Sequence, residues 1–357
     1  MQTKVIRITD SITDGTSLKE AADILRAGGL VVFPTETVYG LGGNGLSQAA
    51  AEKIYEAKGR PSNNPLIIHI HHPAEADKYA FAGDLYNRLA AAFMPGPLTV
   101  ILPKRDCVPY ATTGGLDTVA VRCPDHPVAH ALLKVCDFPV AAPSANLSGS
   151  PSPTCADHVI ADLSGRVDMI IDGGECEIGL ESTIVKIDRD EKGEYLTLLR
   201  PGAITYDALT CVCERVVIAG AVLEQLKEGE RPLSPGMMYK HYAPGGVLTM
   251  VKGEAQNVQR VCRQLYTAAK ADGKTACILA FDEHLSAYEG MEVLSIGCLA
   301  DPETVSHKLF AVLRQLDEAG IDLMFSEVLP AEGLGLAIMN RLSRAAGFRT
   351  IDADQED

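Results

Sequence analysis

The chain has 357 residues, room for two domains at about 150 residues each, and its 46% hydrophobic and 22% charged residues exclude disorder as the main state. Apolar runs stay well below the roughly 18 residues a membrane-spanning helix needs. With 32 Lys and Arg against 47 Asp and Glu the net charge is −15, spread as 22 against 30 before Val247 and 10 against 17 from there on, so neither half offers a basic surface for nucleic acid.

The opening MQTKVIRITDSITDG carries acids and lacks an apolar segment, so it does not read as a secretory signal. Lys4 to Thr9 alternates like an edge strand, and Ser17 is expected to cap a helix ending near Arg26, before Gly28 and Gly29. A strand follows in LVVFPT, then a helix over 49–57, a strand in LIIHI, a helix over 84–93 and a strand in LTVILP. VAVR, PVAAP, MIIDGG and STIVKI add short strands, with a helix over 127–135 between the first two. Strands and helices in no strict alternation predict a mixed α/β sheet with flanking helices. The Pro- and Gly-rich stretch EGERPLSPGMMYKHYAPGG reads as an interdomain connection. Beyond it VLTMV, ACILAF, VLSIG and LMFSEVLP alternate with helices over about 255–271, 303–319 and 334–346, the pattern of a smaller Rossmann-like parallel sheet. The expected division is 1–210, a linker over 211–246, and 247–357. Ten cysteines are scattered without a C-x-x-C pair, and Cys211 and Cys213 alternate as on one strand face. Unpaired thiols in a reducing, cytoplasmic setting are the expectation.

Five segments can carry chemistry. PTETVYGLGGNG, at 34–45, reads as a loop with Thr35, Thr37 and Tyr39 alternating before glycines, which either let backbone amides approach an anion or simply make a tight turn. It is not a P-loop, since no G-x-x-x-x-G-K-[ST] occurs. Lys58 and Arg60 close a helix before Pro61, beside Ser62, Asn63 and Asn64, with His69 on the strand behind. Cations favour a helix C-terminus on their own account, but this pair can also grip a phosphate chain, Arg60 as a fork and Lys58 as a point charge. In TVAVR, Thr118 and Arg122 share a strand face, and a buried Arg122 needs a partner, either a ligand carboxylate or, more commonly, an internal acid. PSANLSGSPSPT places Ser144, Asn146, Ser148, Ser150 and Ser152 straight after a strand, and GLESTIV brings Ser182 and Thr183 ahead of Arg200. His126 and His130 have a zinc-like spacing without a third ligand nearby, and no nucleophile for covalent catalysis stands out.

Taken in order, PTETVYGLGGNG, Lys58-x-Arg60-Pro61 with Asn64-Pro65-Leu66, PGPLTVIL, VAVRCP, Ser144-x-Asn146, GLESTIV and LLRPGAI resemble the YrdC-like domain of the L-threonylcarbamoyladenylate synthases over roughly 10–205. SPGMMYKHYAP and the α/β segment after it resemble the long, two-domain form of that family. The resemblance implies a nucleotidyltransferase that joins L-threonine, bicarbonate or CO2 and ATP into threonylcarbamoyl-AMP and pyrophosphate. That product starts N6-threonylcarbamoyladenosine formation in tRNAs reading codons that begin with adenine. It assigns Thr37, His69, Arg122 and Ser182 to threonine, with Arg122 on the carboxylate. Lys58, Arg60, Asn64, Thr118, Ser144, Asn146, Ser152 and Arg200 surround ATP, and Lys58, Arg60, Ser144 and Asn146 form the catalytic set. Mg2+ is implied on the phosphates and not on protein side chains. Tyr239, His241 and Tyr242 are implied in a lid that keeps water from the mixed anhydride, against the plainer reading of a tether. The partners implied are the small substrates and a downstream tRNA threonylcarbamoyl transferase machinery, without a membrane and without strong direct nucleic-acid binding.

Two rival readings are a nucleic-acid-binding module, which the acidic balance opposes, and an O-carbamoyltransferase of the hydrogenase-maturation kind. The second would carry zinc-finger Cys pairs and an acylphosphatase-like start, and this sequence has neither.

Overall fold

The computed structural model describes residues 2–8, 14–223, 242 and 244–355. It divides into two compact units, Met1–Ser148 with Ser152–Met238, and Gly149–Pro151 with Tyr239–Asp357.

The first unit runs β1 (Lys4–Arg7), α1 (Gly15–Arg26), β2 (Val31–Phe33), β3 (Gly40–Asn44), α2 (Gln48–Lys58), β4 (Ile67–His69), α3 (Asp84–Phe93), β5 (Leu98–Pro103), β6 (Thr118–Arg122) and α4 (Pro127–Val135). It continues with β7 (Val140–Ala141), α5 (Ala156–Leu163), β8 (Met169–Asp172), β9 (Thr183–Asp190), β10 (Gly193–Arg200), α6 (Tyr206–Thr210), β11 (Val216–Ile218) and α7 (Gly220–Leu223). Eleven strands among the described residues form one mixed sheet in the order β1-β8-β2-β3-β7-β4-β6-β5-β9-β10-β11, as the lack of strict alternation predicts. The helices start and stop where local chemistry allows. The Ser47 side chain accepts from Ala50 N to open α2, and Gly59 ends it at φ 61°, a left-handed turn that suits glycine. Pro127 opens α4 behind a His126 ring that accepts from Val128 N.

Alternation along the strands gives the sheet two faces. Val32, Leu41, Ile68, Val100, Val119, Val121 and Ile170 lie on one, in the main core. On the other, Val31, Phe33, Val140, Ala142, Met169 and Ile171 pack under α1 and α4. That second face continues across β4, β6, β5 and β9 as a small apolar floor of Ile67, Ala120, Ile101 and Ile184, with Leu199. By the same alternation His69, Thr118, Arg122 and Thr99 rise from this floor.

The second unit holds β12 (Val247–Lys252), α8 (Ala255–Ala271), β13 (Ala276–Ala280), β14 (Val293–Ser295), α9 (Pro302–Glu318), β15 (Leu323–Glu327), α10 (Leu334–Ala345) and β16 (Thr350–Asp352). Its strands are ordered β14-β13-β15-β12-β16, every pairing parallel, which is the expected Rossmann-like pattern. Glu327 ends β15 buried and satisfied, accepting from Tyr288 OH at 2.7 Å and Phe281 N at 3.1 Å beside the His284 ring at 2.8 Å.

Several expectations are corrected. Ser17 lies inside α1, whose N-cap is Asp14. Gly40–Asn44 is a central strand and not a loop. Val216–Ile218, inside the stretch expected as linker, forms β11, which pairs with β10 in the first unit; the helix read from Gly220 is present as α7. Cys211 caps the end of α6, exposed, while Cys213 is buried before β11 begins, so the two do not share a strand. All ten cysteines are free thiols.

Candidate functional site

The register brings the amino-acid candidates together. His69 and Arg122 are direct partners at the ends of β4 and β6, and Thr99 faces Arg122 across β5. Thr99 Oγ1 lies 2.7 Å from Ser182 Oγ. Arg200, at the end of β10, donates from Nε to Ser182 O at 3.0 Å and from Nη2 to Ser182 Oγ at 3.1 Å. The Thr35 hydroxyl shapes the segment above them, accepting from Thr37 N and Val38 N at 3.2 Å each and donating to Val38 O at 2.6 Å. This turn carries Thr37, whose Oγ1 lies 2.9 Å from Thr35 Oγ1, and Glu36 into the protein interior.

Glu36 Oε1 stands 2.7 Å from Arg122 Nη2, with both residues about 95% buried. The internal acid that Arg122 requires is therefore present. The two groups are close enough for an ion pair, yet their angles do not make hydrogen bonds. Both Glu36 oxygens, Arg122 Nε and Nη2, and His69 Nδ1 have no hydrogen-bond partner. Orphaned buried polar atoms of this kind are costly and uncommon, and five of them converge on one spot. Burial, and secondarily the Arg122 charge, push the His69 pKa down to about 3, so its ring is neutral. The Phe33 ring meets it edge-on at 6.0 Å.

The phosphate candidates assemble at the other end of β4. Lys58, the last residue of α2, is buried and donates to the carbonyls of Ser144 and Asn146 at 2.5 Å each and to Asn146 Oδ1 at 3.3 Å. Ser144 Oγ donates to Asn146 Oδ1 at 2.5 Å, and Asn146 Nδ2 to Leu147 O at 2.7 Å. Beyond the Gly59 turn, Arg60 donates from Nη2 to Pro65 O at 3.1 Å, and Asn64 is buried with its Oδ1 unpartnered. Thr118 opens β6 half-buried, and the β4–β6 register carried back two residues sets it beside Pro65. Thr118 and Arg122 are thus about 13 Å apart along one strand face. Ser152, fully buried, donates to Glu181 Oε1 at 2.5 Å and so approaches Ser182 through its neighbour.

The structure therefore joins Thr37, His69, Arg122, Ser182 and Arg200 at one end of the floor and Lys58, Arg60, Asn64, Thr118, Ser144 and Asn146 at the other, with Ser152 reaching the first group through Glu181. Arg200, grouped with the nucleotide by the family resemblance, binds Ser182 here. Sequence reading missed Glu36, Thr99 and Glu181. Thr99 had a signal, a polar residue breaking the apolar run of PGPLTVIL. Glu36 and Glu181 are the acids inside PTETVYG and GLESTIV, otherwise made of small and apolar residues. His126 serves as a helix cap and the His130 ring packs on His71 at 4.4 Å. Tyr239 and His241 lie outside the described residues; Tyr242 is buried with its ring 5.0 Å from that of Phe310.

Two family models match the chain: Sua5/yciO/yrdC, described as telomere recombination, over residues 23–202, and the threonylcarbamoyl-AMP synthase C-terminal domain over 204–347. The threonylcarbamoyl-AMP synthase of Pyrococcus abyssi is 41% identical over 350 residues, 98% of this chain and 99% of that protein. The Bacillus subtilis threonylcarbamoyl-AMP synthase is 43% identical over 356 residues, 98% of this chain and all of that one. The crystal structure of P. abyssi Sua5 complexed with L-threonine matches with a TM-score of 0.90 at 40% identity, covering 99% of each chain.

Proposed function

The chain belongs to the threonylcarbamoyl-AMP synthase family in its two-domain form, and on that premise we propose that the floor of β4, β5 and β6 is where threonine and ATP meet. The protein makes L-threonylcarbamoyl-AMP, the first step of N6-threonylcarbamoyladenosine formation in tRNA. The observation that carries the site assignment is the convergence of unpartnered buried groups on His69, Arg122 and Glu36.

In this reading Arg122 takes the threonine carboxylate, with Thr37, neutral His69 and Ser182 offering hydrogen bonds to the hydroxyl and nitrogen. The ammonium first gives up a proton to solvent, and the free amine captures CO2, supplied as such or as bicarbonate, and loses a second proton to become a carbamate. ATP lies toward Lys58 and Arg60, its phosphates facing Ser144, Asn146 and Asn64, where Mg2+ held by the phosphates would offset their charge. The carbamate oxygen attacks the α-phosphorus in line and pyrophosphate leaves, a nucleotidyl transfer. Such a transfer rests on positioning and charge neutralisation, which suits a site of cations, amides and hydroxyls. Lys58 contributes twice: it brings charge, and by binding the carbonyls of Ser144 and Asn146 it fixes the loop that presents them. The product passes to a transferase machinery acting on tRNA.

The test is pyrophosphate release from ATP and bicarbonate with L-threonine, with L-serine, and with neither. Release is expected to depend on threonine and to be poorly supported by serine. Lys58→Ala is expected to lower kcat/KM by about 100-fold or more while circular dichroism stays native. Release indifferent to threonine would overturn the assignment.

A further inference from the structure

We infer that Glu36 is the residue that recognises the ammonium group of the amino acid, making the site specific for a zwitterion. The inference rests on the reading of this pocket as the threonine site and adds a residue to it.

Glu36 is a carboxylate about 95% buried, at the end of a turn that Thr35 holds in place. Among the described residues its ion-pair partner is Arg122, and the pair is 2.7 Å apart without hydrogen-bonding geometry on either side. A finished structural ion pair satisfies its donors and acceptors, because an unsatisfied buried charge is strongly destabilising. Here two carboxylate oxygens and two guanidinium nitrogens are left over together. The surplus has the composition of the complement to an α-amino acid: acceptors of negative charge for an ammonium, donors of positive charge for a carboxylate. An amino acid carries both groups on one carbon, a few ångströms apart, so it can settle on Glu36 and Arg122 at once. It also leaves the net charge of the pocket unchanged, which neither a simple anion nor a simple cation would do. His69, the other orphaned group, is neutral and offers a hydrogen bond but no charge. A ligand lacking the ammonium would leave Glu36 buried beside a second carboxylate, and that repulsion is the source of the selectivity.

The experiment measures binding by calorimetry of L-threonine and of its deaminated counterpart, 2,3-dihydroxybutanoate, to the full-length protein with its ATP affinity measured in parallel. Wild type is expected to prefer threonine by about 100-fold or more. Glu36→Gln is expected to weaken threonine by about tenfold, strengthen dihydroxybutanoate by about tenfold because the repulsion is gone, and leave ATP unchanged. Glu36→Asp, which keeps the charge one methylene further back, is expected to restore part of the preference and carries the test if the Gln variant does not fold. Wild type without preference for threonine over dihydroxybutanoate would overturn the inference. So would equal weakening of both ligands in either variant, which is the result if Glu36 merely holds Arg122 in place. A wild-type protein that binds no threonine and releases no pyrophosphate with it would fail the site assignment instead.

Discussion

At the scale of single residues, His69 shows most directly how burial sets chemistry. Its ring is held neutral with a pKa of about 3, by desolvation first and the Arg122 charge second. In the unfolded chain the same ring binds a proton below about pH 6.5. Between those two values the unfolded state therefore holds one proton more than the folded state, and stability falls as the pH falls through the window. The slope owed to this one group is about 1.4 kcal/mol per pH unit. His69→Gln is expected to flatten the acid limb of a stability–pH curve, read by urea titration between pH 6 and 4, by close to one proton. A curve unchanged by the substitution would mean that the ring is protonated in the folded protein. The same neutrality predicts no ionisation of His69 in the activity profile above pH 5. Arg122 makes the complementary point. Its need for a partner was legible in TVAVR, because an arginine in an apolar strand has to be paired. That the partner is Glu36 was not, since only the turn made by Thr35 and the pairing of β4, β6 and β5 bring the two segments together.

Among the elements, β3 carries the clearest difference between sequence and structure. GLGGN invites the reading of a flexible loop beside an anion, because glycine has no β propensity and permits unusual backbone angles. The segment is instead a strand between β2 and β7, and what its glycines supply is the lack of a side chain. A Cβ on Gly42 would stand 2.9 Å from both Val140 Cγ1 and the Val31 carbonyl oxygen. Gly42→Ala is expected to cost about 1–3 kcal/mol, seen as a lower urea midpoint with an unchanged slope. A midpoint within experimental error of wild type would show that the sheet yields at this point. By contrast α3, α4 and α8 run over the ranges read from sequence, since a helix is decided by neighbours in sequence. Two of the strands that escaped reading, β11 and β16, are three-residue edge pieces defined by pairing with residues distant in sequence, and no local pattern announces them.

For the molecule as a whole, charge decides between the two kinds of RNA-linked role that the sequence leaves open. A protein that grips tRNA neutralises phosphates with lysines and arginines, and its affinity falls steeply with salt. This chain carries −15 overall, and the acids outnumber the bases on both sides of Val247. Several of its cations are also engaged within the fold: Lys58 on the carbonyls of Ser144 and Asn146, Arg60 on Pro65, Arg122 beside Glu36, and Arg200 on Ser182. In the Lys58–Arg60 corner that made a nucleic-acid module conceivable, the lysine is thus buried and held on backbone carbonyls. Fluorescence anisotropy with unmodified tRNA is expected to show no saturable binding below about 10 μM protein at 150 mM salt, and little at 50 mM. Tight binding that collapses between those two salt concentrations would point to a basic surface that the charge distribution does not predict. Weak binding fits a division of labour in which this protein makes a small activated intermediate and another acts on the tRNA. Under that division the consequence of losing Lys58 or Glu36 is read in the yield of threonylcarbamoyl-AMP, not in affinity for RNA.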